Sequence, residues 1–197
     1  MEAAAGPVII GGGLAGGLLA LALRELGAEV TLIDLPPPGG YSATTISYGA
    51  VPGWPLAATP LARLAARAPG LWRRLQGLYG PLGWRPAALR LHGQNQALRG
   101  LSRFGVLPFG QVDTAVLGRR WPELLTTAGV ERLSVAVERL DPHPAAGATL
   151  HLSDGRDLRA AQVVLAAGSG CRRLWPDLPS RFRSSWAAVL ALPAYPA

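Results

Sequence analysis

Three glycines and one aspartate near the start of the chain have the types and the spacing that bind a dinucleotide. Gly11, Gly13 and Gly16 form the pattern G-x-G-x-x-G, and Asp34 follows 18 residues after the last of them. Such glycines allow a tight turn, let the backbone approach a diphosphate, and let a helix pack closely on a strand. An acid at this distance accepts a hydrogen bond from a ribose hydroxyl. The pattern predicts a nucleotide-binding turn.

These residues need a strand, a helix and a second strand to position them. The apolar run 8–10 predicts a buried strand, the uncharged run 14–23 predicts a helix that ends at Gly27, and 29–33 predicts the second strand. The N-terminus of a helix offers N–H groups and a partial positive charge to phosphate. Leu14 and Ala15, at the start of this helix, are therefore candidate binding residues as well.

A membrane anchor is the alternative interpretation of the same segment. Residues 3–23 carry no charge and are long enough to span a bilayer, and their spaced glycines resemble helix-packing pairs. However, a block as rich in glycine as 11–17 suits a turn better than a spanning helix. Glu2 without a nearby positive charge is unlike a signal peptide, and an anchor does not explain the strand and acid at 30–34. We expect no membrane span.

Composition excludes several classes of function. The chain has 197 residues, 49% of them hydrophobic, which is ample for the core of one medium domain. A single cysteine, Cys171, excludes an internal disulfide, and the cytoplasm is the expected compartment. The net charge of +7 comes from 19 arginines and no lysine, which excludes a P-loop lysine and a lysine Schiff base. The arginines are scattered, so we expect no nucleic-acid partner.

The rest of the chain alternates between loops, helices and strands. A small, hydroxyl-rich segment at 42–49 makes Ser42, Thr44 and Thr45 candidates for contact with phosphate, although an ordinary polar loop explains it equally well. The further predicted elements are a helix over 60–78 (single, or broken at Pro69-Gly70), a strand at 88–91, a helix from a cap at Asp113 to Ala128 with a kink or break at Pro122, a strand centred on 134–137, a hairpin of 148–152 with 157–159, and a buried strand over 162–170.

In this order the elements resemble the FAD-dependent oxidoreductases of the D-amino-acid oxidase and glycine oxidase type. Residues 8–34 look like that family's FAD-binding βαβ unit, 42–49 like its polar loop, and 89–93 like an early strand of its substrate domain. Residues 109–113 look like the entry to its middle helix. The segment 136–140 is similar to the strand whose backbone meets adenine, which singles out Val137. The segment 160–168 resembles its second cofactor-facing strand, with Ala167 and Gly168 at the end.

The resemblance implies an α/β chain with a Rossmann-like FAD-binding fold, a parallel central sheet and the initial strands of an incomplete substrate domain. It assigns 1–85 and 108–184 to the FAD-binding domain, 86–107 to a substrate-domain insertion, and 185–197 to the start of a substrate-domain strand. It further implies oxidation of a small amine or amino acid, with FAD taking a hydride from the α-carbon and passing electrons to oxygen. The family's substrate arginine and flavin-closing segment lie in its later half, so no catalytic residue is assigned.

Several alternatives stay open. The chain is a fragment, one polypeptide of a split enzyme completed by a second polypeptide, or a reduced nucleotide-binding module. A non-catalytic nucleotide-binding or partner subunit, or an NAD-dependent dehydrogenase, would carry the same turn, whereas Asp34 disfavours the 2′-phosphate of NADP. His92, His143 and His151 lack the spacing of metal ligands, so no metal is expected. Cys171 is interpreted as a buried thiol.

Overall fold

A computed structural model describes residues 2–35, 42–53, 58–90 and 106–182 of the chain. In chain order the strands are β1 (Glu2–Ala3), β2 (Val8–Ile10), β3 (Thr31–Ile33), β4 (Ala50–Pro52), β5 (Trp84–Arg90), β6 (Val106–Val112), β7 (Glu131–Leu133), β8 (Val137–His143), β9 (Gly147–Leu152), β10 (Asp157–Ala160) and β11 (Val163–Leu165). The helices are α1 (Leu14–Glu25), α2 (Pro60–Ala65), α3 (Ala68–Tyr79), α4 (Thr114–Thr127) and α5 (Cys171–Leu174).

The described residues divide into two compact units. The first takes its residues from Met1–Thr44 and Pro122–Ala197, and the second from Thr45–Trp121. The predicted division into cofactor-domain and substrate-domain segments, with boundaries at 85, 107 and 184, stays a prediction. Residues 185–197, the predicted start of a further strand, lie outside the described residues.

A parallel sheet of order β11-β2-β3-β7 forms the centre of the first unit. Its inner strands β2 and β3 are fully buried and, apart from Thr31, apolar, and Val8–Ile10 pairs in parallel register with Thr31–Ile33. Parallel strands need a crossover between them, which α1 supplies. The predicted strand–helix–strand unit and the α/β class with a parallel central sheet are confirmed. β11 is half-buried rather than buried, because it lies at the edge of the sheet, and it is shorter than the predicted 162–170 strand.

The single strand predicted around 134–137 is wrong. The segment forms two strands in two different sheets, because β7 pairs with β3 and β8 pairs with β9. Between them, Ala136 is fixed by Ser153, whose Oγ accepts from the Ala136 N–H at 3.1 Å while the Ser153 N–H donates to the Ala136 carbonyl at 2.9 Å. No glycine or proline separates the two strands, so the sequence pattern alone does not mark the change of sheet.

A second sheet, of order β1-β10-β9-β8, covers the core of this unit. The predicted hairpin is confirmed, because β9 and β10 pair in antiparallel register around the turn that holds Gly155. Leucines at 150, 152 and 158 point into a cluster that includes Val8, Ile10, Ile33 and Val137. The apolar face of this sheet therefore packs against residues of the parallel sheet.

The second unit contains a three-stranded antiparallel sheet of order β4-β6-β5 and two helices, α2 and α3, in place of one long helix. The break falls at 66–67 rather than at Pro69-Gly70, because Pro69 occupies the first turn of α3, where its missing N–H costs nothing. β5 begins at Trp84, four residues before the predicted strand, and Leu91 lies outside the described residues.

α4 has the predicted cap, because Asp113 Oδ1 accepts from the N–H groups of Ala115 and Val116 at 3.0 Å each. The helix continues through Pro122 as far as Thr127, so the predicted break is absent. Throughout the described ranges, the helices are too short or too polar to cross a bilayer.

The polar face of the second sheet carries a histidine between two carboxylates. His151 Nδ1 lies 2.7 Å from Asp157 Oδ1, and Nε2 lies 2.9 Å from Asp141 Oδ2 and 2.8 Å from Arg139 Nη2. When protonated, the ring donates to both carboxylates; when neutral, Nε2 accepts from Arg139 instead. The hydrogen bond to Asp141, supported by Asp157, raises the pKa of His151 above its ordinary value, while partial desolvation and Arg139 oppose the shift.

The raised pKa of His151 makes the stability of the chain depend on pH. Protonation favours the folded state, so the contribution is complete below the unfolded pKa of about 6.5 and is lost as pH rises through the folded pKa. We expect His151→Gln to remove this part of the pH dependence in urea denaturation between pH 5.5 and 8.5. His143→Gln is the control, because His143 bonds the Thr149 hydroxyl rather than a carboxylate. Equal pH profiles for wild type and His151→Gln would contradict this assignment.

Candidate functional site

The turn after β2 brings α1 into close contact with the end of the strand. Gly11 has φ +109°, a backbone conformation that residues with a side chain rarely adopt. A Cβ on Gly16 would lie far inside 3.0 Å of the Gly11 carbonyl oxygen and 3.2 Å from the Ala166 Cβ. Only glycine at position 16 therefore lets the helix begin directly against the turn, as the sequence pattern predicts.

The N-terminus of α1 lies beside an open space rather than beside packed side chains. Gly13 is the N-cap, with φ −64° and ψ −176°, which any residue adopts. A Cβ placed there would have one described neighbour within 4 Å, the Thr44 Oγ1 at 3.4 Å. The Leu14 N–H donates to that same oxygen at 3.0 Å. The Thr44 hydroxyl accepts this bond and keeps its own hydrogen for another acceptor.

Asp34 lies directly after β3, where its N–H donates to the Leu133 carbonyl at 3.0 Å. Its carboxylate packs against Gly12: a Cβ on Gly12 would lie 2.6 Å from Asp34 Oδ2 and 2.7 Å from Cγ. The motif assigns no role to this middle glycine. In the structure, a side chain at position 12 would displace the acid.

These residues surround one cavity of about 570 Å³, a volume common for small-molecule sites. It opens where β2, β3, β7 and β11 end. The predicted site residues that line it are Gly11, Gly13, Leu14, Ala15, Asp34, Ser42, Thr44, Val137, Ala167 and Gly168. Gly16 lies behind the turn, and Thr45 belongs to the second unit, where its carbonyl accepts from Thr114 Oγ1 at 3.0 Å. Neither lines the cavity.

Sequence reasoning missed part of the lining. The additional residues include Leu35, Ala43, Val135, Ala136, Ser169, Gly170 and Arg173. Arg173 differs from the others because it is charged, and its Nη2 donates to the Val137 carbonyl at 3.2 Å. The only advance indication was a basic residue shortly after a glycine-rich turn, which is too weak a pattern to identify a binding residue.

Two further features of the described chain do not join this site. A cavity of about 620 Å³ in the second unit is lined by Arg67, Arg73, Trp84 and neighbours, and it contains none of the predicted site residues. Cys171 is buried, as predicted. His92 lies outside the described residues, and the described ones contain no cluster of histidine, cysteine and carboxylate side chains that could hold a metal ion.

Comparisons with known proteins agree with this geometry. A family model described as FAD dependent oxidoreductase matches residues 8–120, more than half of the chain. Glycine oxidase from Geobacillus kaustophilus has a similar structure, with a TM-score of 0.69 at 19% identity over 88% of this chain and 58% of that one. L-amino acid deaminase from Proteus myxofaciens, solved with anthranilate, gives a TM-score of 0.70 at 20% identity over 88% and 48%.

NikD, an amino acid oxidase essential for nikkomycin biosynthesis, gives a TM-score of 0.65 at 21% identity over 90% of this chain and 55% of that one. At these identities the likeness shows the fold. The chain spans about half the length of the similar structures. Among curated proteins no match was found.

The contact between Gly16 and the turn predicts a stability effect that does not depend on any ligand. Gly16→Ala should lower the free energy of unfolding by about 1–3 kcal/mol, because the added methyl group meets a backbone oxygen that cannot move away. Gly77→Ala in α3 is the control: no described atom lies within 4 Å of its Cβ, so it should raise stability by about 0.5–1 kcal/mol. Urea denaturation measures both. Wild-type stability in Gly16→Ala would contradict the packing described.

Proposed function

Because the chain belongs to the family of FAD-dependent oxidoreductases, we propose that it binds the ADP part of FAD for the oxidation of a small amine or amino acid. One observation carries this proposal: the glycine turn, the N-terminus of α1, Asp34 and Val137 all surround a single cavity. These are the groups that a diphosphate, a ribose and an adenine require, in that order along the ligand.

The diphosphate is proposed to lie at the start of α1. Gly13 leaves the backbone free of a Cβ atom there, and Gly11 allows the tight turn that precedes it. Leu14 and Ala15 belong to the first turn, whose N–H groups lack partners inside the helix, and that of Leu14 donates to Thr44. The positive end of the helix dipole adds to the attraction. Gly16 contributes indirectly, because it allows the helix to start this close to the strand.

The other proposed contacts are with the ribose, the adenine ring and the outer side of the phosphates. Asp34 would accept from a ribose hydroxyl, and the backbone of Val137 would meet the adenine ring. Ser42, Thr44 and Thr45 are proposed to donate hydroxyl or backbone groups to the phosphates; Ser42 and Thr44 line the cavity, and Thr45 does not. Ala167 and Gly168 would face the cofactor from the end of β11.

The residues present fit this ligand. The space beside Gly13 is one that a Cβ would begin to fill, and the Thr44 hydroxyl at its border retains a donor. When bound, FAD supplies the redox chemistry: it accepts a hydride from the α-carbon of the amine. The described residues would hold the nucleotide end and position it against the sheet.

The wider proposals rest on family membership. The chain spans about half the length of the similar structures. A second polypeptide that completes the substrate domain is proposed as a partner. Leu61, Leu64, Leu71 and Leu78 on α2 and α3 are each more than half exposed, which supports such a partner because apolar patches favour contact. The assignment of 1–85 and 108–184 to the cofactor domain, and the cytoplasm as location, belong to the same proposal.

Gly13→Val tests the cofactor site. The backbone at Gly13 tolerates a side chain, so the variant should fold, while the branched group should fill the space proposed for the diphosphate. We expect calorimetric affinity for FAD and for ADP to fall roughly 100-fold or more, equivalent to at least about 2.7 kcal/mol. Gly77→Val, at an exposed helix position, should bind as the wild type does. Undiminished affinity in Gly13→Val would overturn the assignment, and tighter binding of NAD than of FAD would favour a dehydrogenase.

A second experiment tests the proposed partner. The FAD-loaded chain alone should not produce hydrogen peroxide from glycine, sarcosine or D-amino acids, because the residues proposed to bind FAD face its ADP part rather than a substrate. Addition of a polypeptide encoded beside it should restore turnover. Clear turnover by the chain alone, above a Gly13→Val control, would show that it carries a full active site. Failure to turn over with every neighbouring polypeptide would favour a non-catalytic nucleotide-binding subunit.

A further inference from the structure

The second unit carries the excess positive charge of the chain. Its sequence, residues 45–121, contains ten arginines and one acid, Asp113, whereas the rest of the chain contains nine arginines and eleven acids. No aspartate or glutamate occurs between residues 35 and 112. The arginines of α2 and α3 therefore have no carboxylate near them in sequence to offset their charge. Such an imbalance selects partners of the opposite sign.

α2 forms although none of its six residues is buried. Thr59 caps its start, because the Thr59 Oγ1 accepts from the Ala62 N–H at 3.1 Å. Leu61 and Leu64 on this helix are 76% and 56% exposed. A helix as short as this one gains its stability from the packing of an apolar face. The leucines of α2 form such a face and leave it exposed.

The exposed apolar face continues along α3. Leu71 and Leu78 are 54% and 57% exposed, while Trp72 of the same helix is buried. The two residues at 66–67, between the helices, keep right-handed helical dihedrals, so the winding is distorted there rather than reversed. From Leu64 onward the exposed leucines recur every seven residues, the spacing with which helices pair side by side. The four exposed leucines together form the leucine stripe: Leu61, Leu64, Leu71 and Leu78.

Arginines accompany the leucine stripe. Arg63, Arg67 and Arg74 lie in the same helical segment, and all three are exposed. Arg73 is engaged within the unit, because its guanidinium lies over the Trp84 ring, 5.8 Å from the centroid. The segment 60–79 contains no acid. This surface therefore combines exposed apolar side chains with positive charge alone.

We propose that the leucine stripe binds an amphipathic helix whose apolar residues are flanked by acids. In taking the second polypeptide that completes the substrate domain as the source of this helix, the inference rests on the proposed function. Burial of leucine on both sides would supply affinity. Carboxylates opposite the arginines would set the orientation of the helix and exclude partners of the wrong charge.

Two other occupants fit the surface less well. A second copy of this chain would bring the same arginines and no acid from its own segment 60–79, so its charges would repel. Helices that lie on a bilayer commonly carry aromatic anchors on their apolar face, whereas Trp72 is buried within the unit. Charge complementarity therefore favours an acidic polypeptide.

Binding of two synthetic peptides to the full chain tests the proposal. Both peptides have leucine at the a and d positions of about three heptads, and one carries glutamate and the other lysine at the e and g positions, so that like charges keep each from pairing with itself. In fluorescence anisotropy of labelled peptide, the glutamate peptide should bind at least about tenfold more tightly than the lysine peptide. Added salt should narrow that difference.

Matched variants locate the binding surface. Leu64→Gln should weaken binding of the glutamate peptide by about tenfold, whereas Leu26→Gln, at an 82% exposed leucine of the first unit, should leave it unchanged. Arg63→Gln should weaken it by about two- to fivefold, and Arg159→Gln, exposed on β10, should leave it unchanged. All four substitutions change exposed side chains, so urea denaturation should give nearly wild-type stability for each variant.

Several results would overturn the proposal: binding of neither peptide, equal binding of both, or equal losses in Leu64→Gln and Leu26→Gln. Association with vesicles that contain phosphatidylserine, without peptide binding, would assign the leucine stripe to a bilayer instead. A dimer in analytical ultracentrifugation that Leu64→Gln abolishes would assign it to a second copy.

FAD affinity, measured separately by calorimetry, distinguishes this inference from the proposed function. A chain that binds the glutamate peptide but not FAD would leave the inference standing and overturn the proposed function. A chain that binds FAD but not the peptide would do the reverse.

Discussion

The contact between α1 and the turn after β2 is the constraint on which the rest of the site depends. Since Gly16 has no side chain, the first turn of the helix lies against the Gly11 carbonyl. That position sets the helix N-terminus at the end of β2, beside the ends of β3 and β11. A methyl group at position 16 would push the helix away from the turn. The dipole and the N–H groups of the helix would then move away from the cavity that Asp34 lines.

Asp34 depends on a second close contact of the same kind. Its carboxylate occupies the space that a side chain at Gly12 would fill, so three consecutive glycines serve three different neighbours: a turn at Gly11, a carboxylate at Gly12 and a cavity at Gly13. In the family pattern the middle position is variable. In this chain its small size and the position of the acid are coupled.

The sequence predicted those features that local patterns encode. The βαβ unit, the cap at Asp113 and the hairpin at Gly155 each follow from residues a few positions apart, and each is present. The change of sheet between β7 and β8 was missed because β7 pairs with β3, which is distant in sequence, whereas β8 pairs with β9. Arg173 was missed for the same reason: its partner Val137 lies 36 positions away, and only the folded core brings them together.

The hydrogen bond between Thr44 and Leu14 has a consequence for the kinetics of ligand binding. It joins the segment that begins at Ser42 to the helix N-terminus through a bond made within the protein itself. The conformational entropy of Thr44 is therefore lost when the chain folds rather than when a ligand binds. A preorganised site of this kind needs no rearrangement at that point upon encounter, so differences in affinity among nucleotides should arise mainly in their dissociation rates.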